Sequence, residues 1–248
     1  MKRLLIVLSA VTFFALTGCS GSKILPLDKY EKKISKYVDQ ISEAELEKQL
    51  YIIAGPEMEG RNAGTESEVR AGNYIANYYK ALGINGPNNE YFQIIPAETF
   101  PRVKGEMRNV MGFIEGIEKP EEIVVISAHY DHEGIKKGEL YPGADDDGSG
   151  TVAVMEIARV FKEAEKKGIK PKRSILFLHV SGEEKGLLGS RYYSDHPVFP
   201  LENTIADVNI DMIGRFPAFA KFQTVLNANL VLLANKSYSI LSGVSVER

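Results

Sequence analysis

Four short stretches carry side chains suited to holding metal ions and moving protons. They are His129-Tyr130-Asp131-His132, the run Gly143-Ala144-Asp145-Asp146-Asp147-Gly148-Ser149-Gly150, Ser181-Gly182-Glu183-Glu184, and Asp211. Imidazole nitrogens and carboxylate oxygens together make a zinc-compatible donor set, and a carboxylate can bridge two ions because its oxygens point in different directions. His129 and Asp131 stand two apart, so at a strand end both can reach one side, and Asp131 can hold the second ring nitrogen of His129. Glu183 and Glu184 are adjacent and aim differently, which lets one bind metal while the other takes a proton from water. The chain's one cysteine, Cys19, excludes a disulfide framework and a cysteine-based zinc ribbon, leaving His, Asp and Glu to carry metal chemistry. A lone acidic residue at a strand end is usually a solvated terminus or a cap. Four such clusters in succession are hard to explain by capping alone.

The elements that must position these groups are readable from apolar patterning. Ile123 to Ala128 runs into His129, Ser174 to Val180 into Ser181, and Asp207 to Ile210 into Asp211; a further run covers Asn109 to Ile114. Near-continuous apolar runs are what strands buried on both faces look like. Helical spacing is expected over residues 31–54, with Ser42 and Glu45 as a capping box, over Glu66 to Leu82 before Gly83, and over Thr151 to Lys167. The fold class expected is α/β: three layers, a mostly parallel mixed sheet with helices on both faces. Ligands of open α/β sheets bind beyond the carboxyl ends of the strands, which is where the four clusters fall. Neither a P-loop nor a Gly-x-Gly-x-x-Gly turn is present, so nucleotide binding has no support. Of the other histidines, His179 lies inside an apolar strand and reads as a hydrogen-bonded core residue. His196, before Pro197, reads as a helix-end residue favoured by the dipole. His132 suits a site rim and a solvated loop equally.

Taken in order, the motifs of residues 129–132, 143–150, 182–190 and Asn209-Ile-Asp211-Met-Ile-Gly214, with Met58-Glu59-Gly60-Arg61 upstream, resemble those of the co-catalytic zinc aminopeptidases of the aminopeptidase Y type. The resemblance runs from about residue 45 to 215 and implies two zinc ions, peptide substrates and the zinc-exopeptidase fold. It makes His129, Asp146 and Asp211 the ligands of one zinc, with Asp146 bridging to a second that Glu184 also binds. Glu183 becomes the general base and acid, and Asp131 the partner of His129. Asp145 and Asp147 become turn or capping residues. The family also uses a later histidine as the last ligand of the second zinc. No histidine follows His196 here, so that site is expected to keep only Asp146 and Glu184, and the C-terminal part of the fold is expected to be incomplete. A non-catalytic lipoprotein of the same fold, or a carboxypeptidase or dipeptidase, is the alternative; glutaminyl cyclase relatives fit the Gly-Glu-Glu and double-Asp motifs less well.

The N-terminus reads as an address. Lys2 and Arg3 precede an apolar run from Leu4 to Leu16, too short to span a bilayer, and Leu16-Thr17-Gly18-Cys19 resembles a lipobox. Residues 1–18 are expected to be a lipoprotein signal, residues 19–29 a lipidated Cys19 and tether, and residues 30–248 the peptidase domain. The expected location is the bacterial cell envelope, anchored by acyl chains on Cys19. The 248 residues carry 30 Lys plus Arg against 33 Asp plus Glu, a net charge of −3, without the basic patch a nucleic-acid binder needs.

Overall fold

The computed structural model describes residues 37–214. The expectations for the leader and for Cys19 lie outside the described residues.

Helix α1 (Glu43–Ile53) starts where its cap requires it to: Ser42 is extended, and its hydroxyl accepts the Glu45 N–H at 3.2 Å. The expected capping box is only half formed. The Ser42 N–H donates to Glu156 of a distant helix instead of to Glu45, so the cap doubles as a tertiary contact. Helix α2 (Glu66–Leu82) has the bounds its periodicity predicts and stops at Gly83, whose φ of 74° a residue with a Cβ adopts only at a cost. Helix α3 (Gly150–Lys166) follows the aspartate run, and α4 (Leu188–Asp195) follows the Glu-Glu pair.

A five-stranded sheet lies between the helices. Its strands are β1 (Phe92–Ile95), β2 (Met107–Ile114), β3 (Lys119–His129), β6 (Arg173–Val180) and β7 (Thr204–Asn209), in the order β1-β2-β6-β3-β7; β4 (Gly134–Lys136) and β5 (Glu139–Tyr141) form a separate hairpin. β1 pairs antiparallel with β2, and β2 with β6, while β6, β3 and β7 are parallel. Only β2 therefore runs against the others. Strand β1 and the β4–β5 hairpin are short and carry little periodicity, which is why patterning did not find them.

One sheet face packs Val110, Ile126, Ala128 and Phe177 against α1, α2 and α3 through Ile53, Ile75, Tyr79, Val154 and Ala158. The other packs Met111, Val125, Leu176 and Leu178 against Tyr193 of α4, with Val198 and Phe199 beside them. Helices thus cover both faces, as expected. Phe177 is fully buried, with its ring against Tyr79 and Phe161, and removing a ring from such a position costs about 3–5 kcal/mol. His179 is the core residue anticipated: it is fully buried and its Nε2 lies 2.5 Å from the Tyr79 hydroxyl. His196 caps the end of α4, its N–H donating to the Tyr192 carbonyl. Among the described residues no helix is long and apolar enough to cross a membrane.

Candidate metal centre

Register decides which side chains meet. His129 is level with Val180 across β3 and β6, and Ser127 is level with Asn209 across β3 and β7. Three parallel strands consequently end together, and residues 129–132, 181–184 and 210–211 emerge along one edge. Helix α3 completes it, its Thr151 hydroxyl donating to the His129 carbonyl at 2.7 Å.

His129 is buried with its Nε2 facing three carboxylates. Asp146 Oδ1 is 3.1 Å away, Asp211 Oδ1 3.8 Å and Glu183 Oε2 4.0 Å. Burial opposes charge on this ring, but the carboxylates of Asp131 and Asp211 prevail and raise its pKa to about 11. The cage draws positive charge to one point, which a proton or a metal ion can supply. A second group lies beside it: the donor atoms of His132, Asp146 and Glu184 fall within 4.8 Å of one another, as do those of His129, Asp146 and Asp211. Asp146 belongs to both. His132 is therefore not a solvated loop residue, since its side chain is 13% exposed and its Nδ1 is 2.6 Å from Glu184 Oε1. The His132 ring thus lies within reach of Asp146 and Glu184.

Asp131 departs in detail from its expected place. Its carboxylate is 3.7 Å from His129 Nδ1, and the nearer acceptor for that nitrogen is its own backbone carbonyl at 3.2 Å. Its Oδ1 instead accepts the Glu183 N–H at 3.0 Å, so Asp131 ties the histidine strand to the glutamate loop. That loop turns at Gly182, whose φ is 67° and where a Cβ would stand 2.9 Å from Met107 Sδ. Burial, helped by Asp131, Glu184 and Asp211 and opposed by His129, raises the pKa of Glu183; burial and Asp146 raise that of Glu184.

Asp145 and Asp147 occupy the turn, as expected, and also sew down the segment that presents Asp211. Asp147 Oδ1 accepts the N–H groups of Gly150 and Met212, and Asp145 Oδ1 accepts that of Gly214. Burial raises the Asp147 pKa to about 8.

Two residues escaped the sequence reading. Arg61, 0% exposed, donates to four backbone carbonyls: those of Tyr130, Ile53, Pro142 and Gly143, at 2.6–2.8 Å. It clamps the end of β3 to the loop before Asp146, and burial lowers its pKa to about 10. Glu68 on α2 is buried behind the site, receiving the hydroxyls of Tyr130 and Ser181, and burial raises its pKa to about 7. Arg61 lies in the Met58–Arg61 stretch that shares the family resemblance but was given no role there, and nothing in the sequence around Glu68 marked it.

The donor atoms suit a divalent ion. Each group offers one nitrogen and two carboxylates, a set typical of zinc, and Glu184 Oε1 and His132 Nδ1 are buried without a hydrogen-bond partner.

A sequence profile described as peptidase family M28 matches residues 109–238, about half of the chain and the part that holds all four motifs. The chain belongs to peptidase family M28. Among M28-like relatives, aminopeptidase YwaD of Bacillus subtilis is 38% identical over 107 residues, covering 41% of this chain and 21% of its own length. A probable glutamate carboxypeptidase, LAMP1 of Arabidopsis thaliana, is 33% identical over 118 residues, covering 47% of this chain and 16% of its own. The matched stretches thus span about a fifth of these relatives. A Zn-dependent exopeptidase from Parabacteroides distasonis shares the fold, with a TM-score of 0.57 at 21% identity over 78% of this chain and 69% of that one.

Proposed function

We propose that this M28 chain is a zinc-dependent exopeptidase that releases N-terminal residues from peptides. The observation that carries the reading is the pair of one-histidine, two-carboxylate groups sharing Asp146, with Glu183 poised 4.0 Å from His129 Nε2. His129, Asp146 and Asp211 would hold one ion, and Asp146 and Glu184 would hold a second. Zinc, when bound, supplies Lewis acidity that polarises a peptide carbonyl and acidifies water. Glu183 takes a proton from the attacking water and returns it to the departing amine as the C–N bond breaks. Its raised pKa suits both halves of that exchange. Asp131 holds the Glu183 backbone in place, and Arg61 keeps the end of β3 against the loop before Asp146. The name of the Bacillus subtilis relative supports the amino-terminal preference.

Turnover of aminoacyl anilides, set beside carboxyl-terminal release from N-blocked peptides, tests the reading. Anilide cleavage that a chelator abolishes supports it. Cleavage only of the blocked peptides would replace it with a carboxypeptidase, and chelator-insensitive activity would remove the metal. We propose further that acyl chains on Cys19 anchor the protein in the bacterial envelope. Incorporation of labelled palmitate that Cys19→Ala abolishes is the expected result.

A further inference from the structure

We infer that Glu68 is a positioning residue for the proposed reaction, an uncharged carboxyl that ties the segment carrying His129 to the loop carrying Glu183. This rests on the exopeptidase reading above, which itself uses neither Glu68 nor the residues Glu68 touches.

Glu68 stands on α2 behind the site and is fully buried. Its Oε2 accepts the Gly64 N–H at 2.5 Å, and its other two contacts both fall on Oε1. One is the hydroxyl of Tyr130, the residue after His129; the other is the hydroxyl of Ser181, two residues before Glu183. A single oxygen on a helix thus joins the ends of β3 and β6. The joint has little room to shift. Tyr130 and Ser181 are fully buried, a Cβ at Gly72 one turn along α2 would stand 3.2 Å from the Tyr130 hydroxyl, and Asn109 Oδ1 accepts the Ser181 N–H at 3.1 Å.

The number of protons decides the state of the carboxyl. The Tyr130 hydroxyl lies 2.7 Å from the Arg108 carbonyl and 3.0 Å from Glu68 Oε1. Burial and Glu68 push the Tyr130 pKa well above the usual range, so it stays a phenol with one proton to donate. The carbonyl has none. Both contacts are full hydrogen bonds only when Glu68 brings a second proton and donates it to the phenol oxygen, while Ser181 and Gly64 still donate to the carboxyl. An ionised Glu68 would leave Tyr130 to serve two acceptors with one proton, and a buried acceptor left unmet is costly.

The surrounding charges favour the neutral form. Burial, opposed by the Ser181, Gly64 and Tyr130 donors and helped by Asp131, raises the Glu68 pKa to about 7. The cations of the neighbouring elements are engaged elsewhere: Arg61 holds four carbonyls, Arg108 of β2 pairs with Glu106, and Arg70 of α2 pairs with Glu59. A neutral carboxyl therefore holds the strand ends together without setting a second anion beside the buried Asp131, which itself accepts the Glu183 N–H.

The test uses the full, zinc-loaded chain, with kcat and KM measured on both sides of pH 7 and the infrared spectrum recorded below it. Relative to Glu68→Gln, whose amide donates to the phenol oxygen at every pH, wild-type kcat is expected to fall as pH rises through about 7 while KM stays level. Below that pH the two should be equally fast. Glu68→Ala should keep its zinc and lose as much as ~10²-fold in kcat, the cost of a misplaced catalytic group. Wild type should carry a carboxylic-acid C=O band that Glu68→Gln lacks. A glutamine variant no faster than the alanine variant, parallel pH profiles in wild type and Glu68→Gln, an alanine variant as fast as wild type, or identical C=O bands would each overturn the inference and leave the exopeptidase reading standing. Should Glu68→Ala fail to fold, the glutamine profile and the infrared band decide by themselves. A wild type that cleaves no peptide removes the exopeptidase reading and the positioning role together, and the band, which needs no turnover, distinguishes that failure from an ionised Glu68.

Discussion

His129 and His179 are both buried imidazoles on neighbouring parallel strands, offset by one residue in register, and their environments drive them in opposite directions. His179 faces aromatic rings and one tyrosine hydroxyl; burial alone lowers its pKa to about 3. His129 is equally hidden, but three carboxylates surround its Nε2 and its pKa rises to about 11. The contrast shows that depth in the core does not decide what a histidine does. What lies beyond its far nitrogen does, because a low-dielectric surrounding penalises an unpaired charge and amplifies a paired one.

The largest effect that would sharpen this contrast is on metal binding. His129→Ala should lose the tightly held zinc and all measurable peptidase turnover, whereas His179→Gln should keep its full zinc content by elemental analysis. Equal zinc loss in both variants would break the comparison. Next comes Glu183→Gln, expected to lower kcat by about 10²–10⁴-fold with zinc content unchanged, since it removes proton transfer and not a ligand. Undiminished turnover in that variant would dismiss Glu183 as the base.

Smaller effects separate the core histidine from the caged one through pH. His179 binds no proton in the folded state down to about pH 3 but does so near 6.5 when unfolded. The unfolded state thus holds the extra proton between these values, and stability falls as pH drops below 6.5. His179→Gln cannot titrate, so its thermal midpoint should fall less steeply from pH 6.5 to 5, by an amount worth about 2 kcal/mol. Identical slopes would show that His179 is not held neutral.

A further pH effect concerns Asp207 on β7, which accepts the Ser127 hydroxyl and whose pKa burial raises to about 7. Here the folded state keeps the proton longer than the unfolded one, so wild type loses stability as pH rises from about 4 to 7. Asp207→Asn should gain in melting temperature relative to wild type as pH rises from 4 to 8. A relative shift of the other sign would mean that the ionised carboxylate is stabilised at this site.

Much of the framework was legible in the chain. The bounds of α2 follow from its apolar spacing and Gly83, and β3 and β6 follow from unbroken apolar runs that only a doubly covered sheet accommodates. The four motifs were legible because metal chemistry needs particular residue types, and those types are unusual directly after buried strands. β1 and the β4–β5 hairpin were not, being three- or four-residue pieces whose pairing partners, and not their composition, make them strands. Arg61 and Glu68 were missed for a related reason. Charged residues default to the surface, and nothing local announces that four carbonyls or two hydroxyls will converge on one of them.

Local sequence by itself determined which residue types stand at the strand ends, and hence that the chemistry is that of histidine and carboxylates. Only the tertiary structure decided how they group. Asp146 is shared between two groups, Asp131 serves Glu183 as much as His129, and His132 faces Glu184 and not water. The physical reason is reach: spacing along a chain sets which neighbours share a side, but the register of three parallel strands and one buried arginine sets which atoms arrive at the same point.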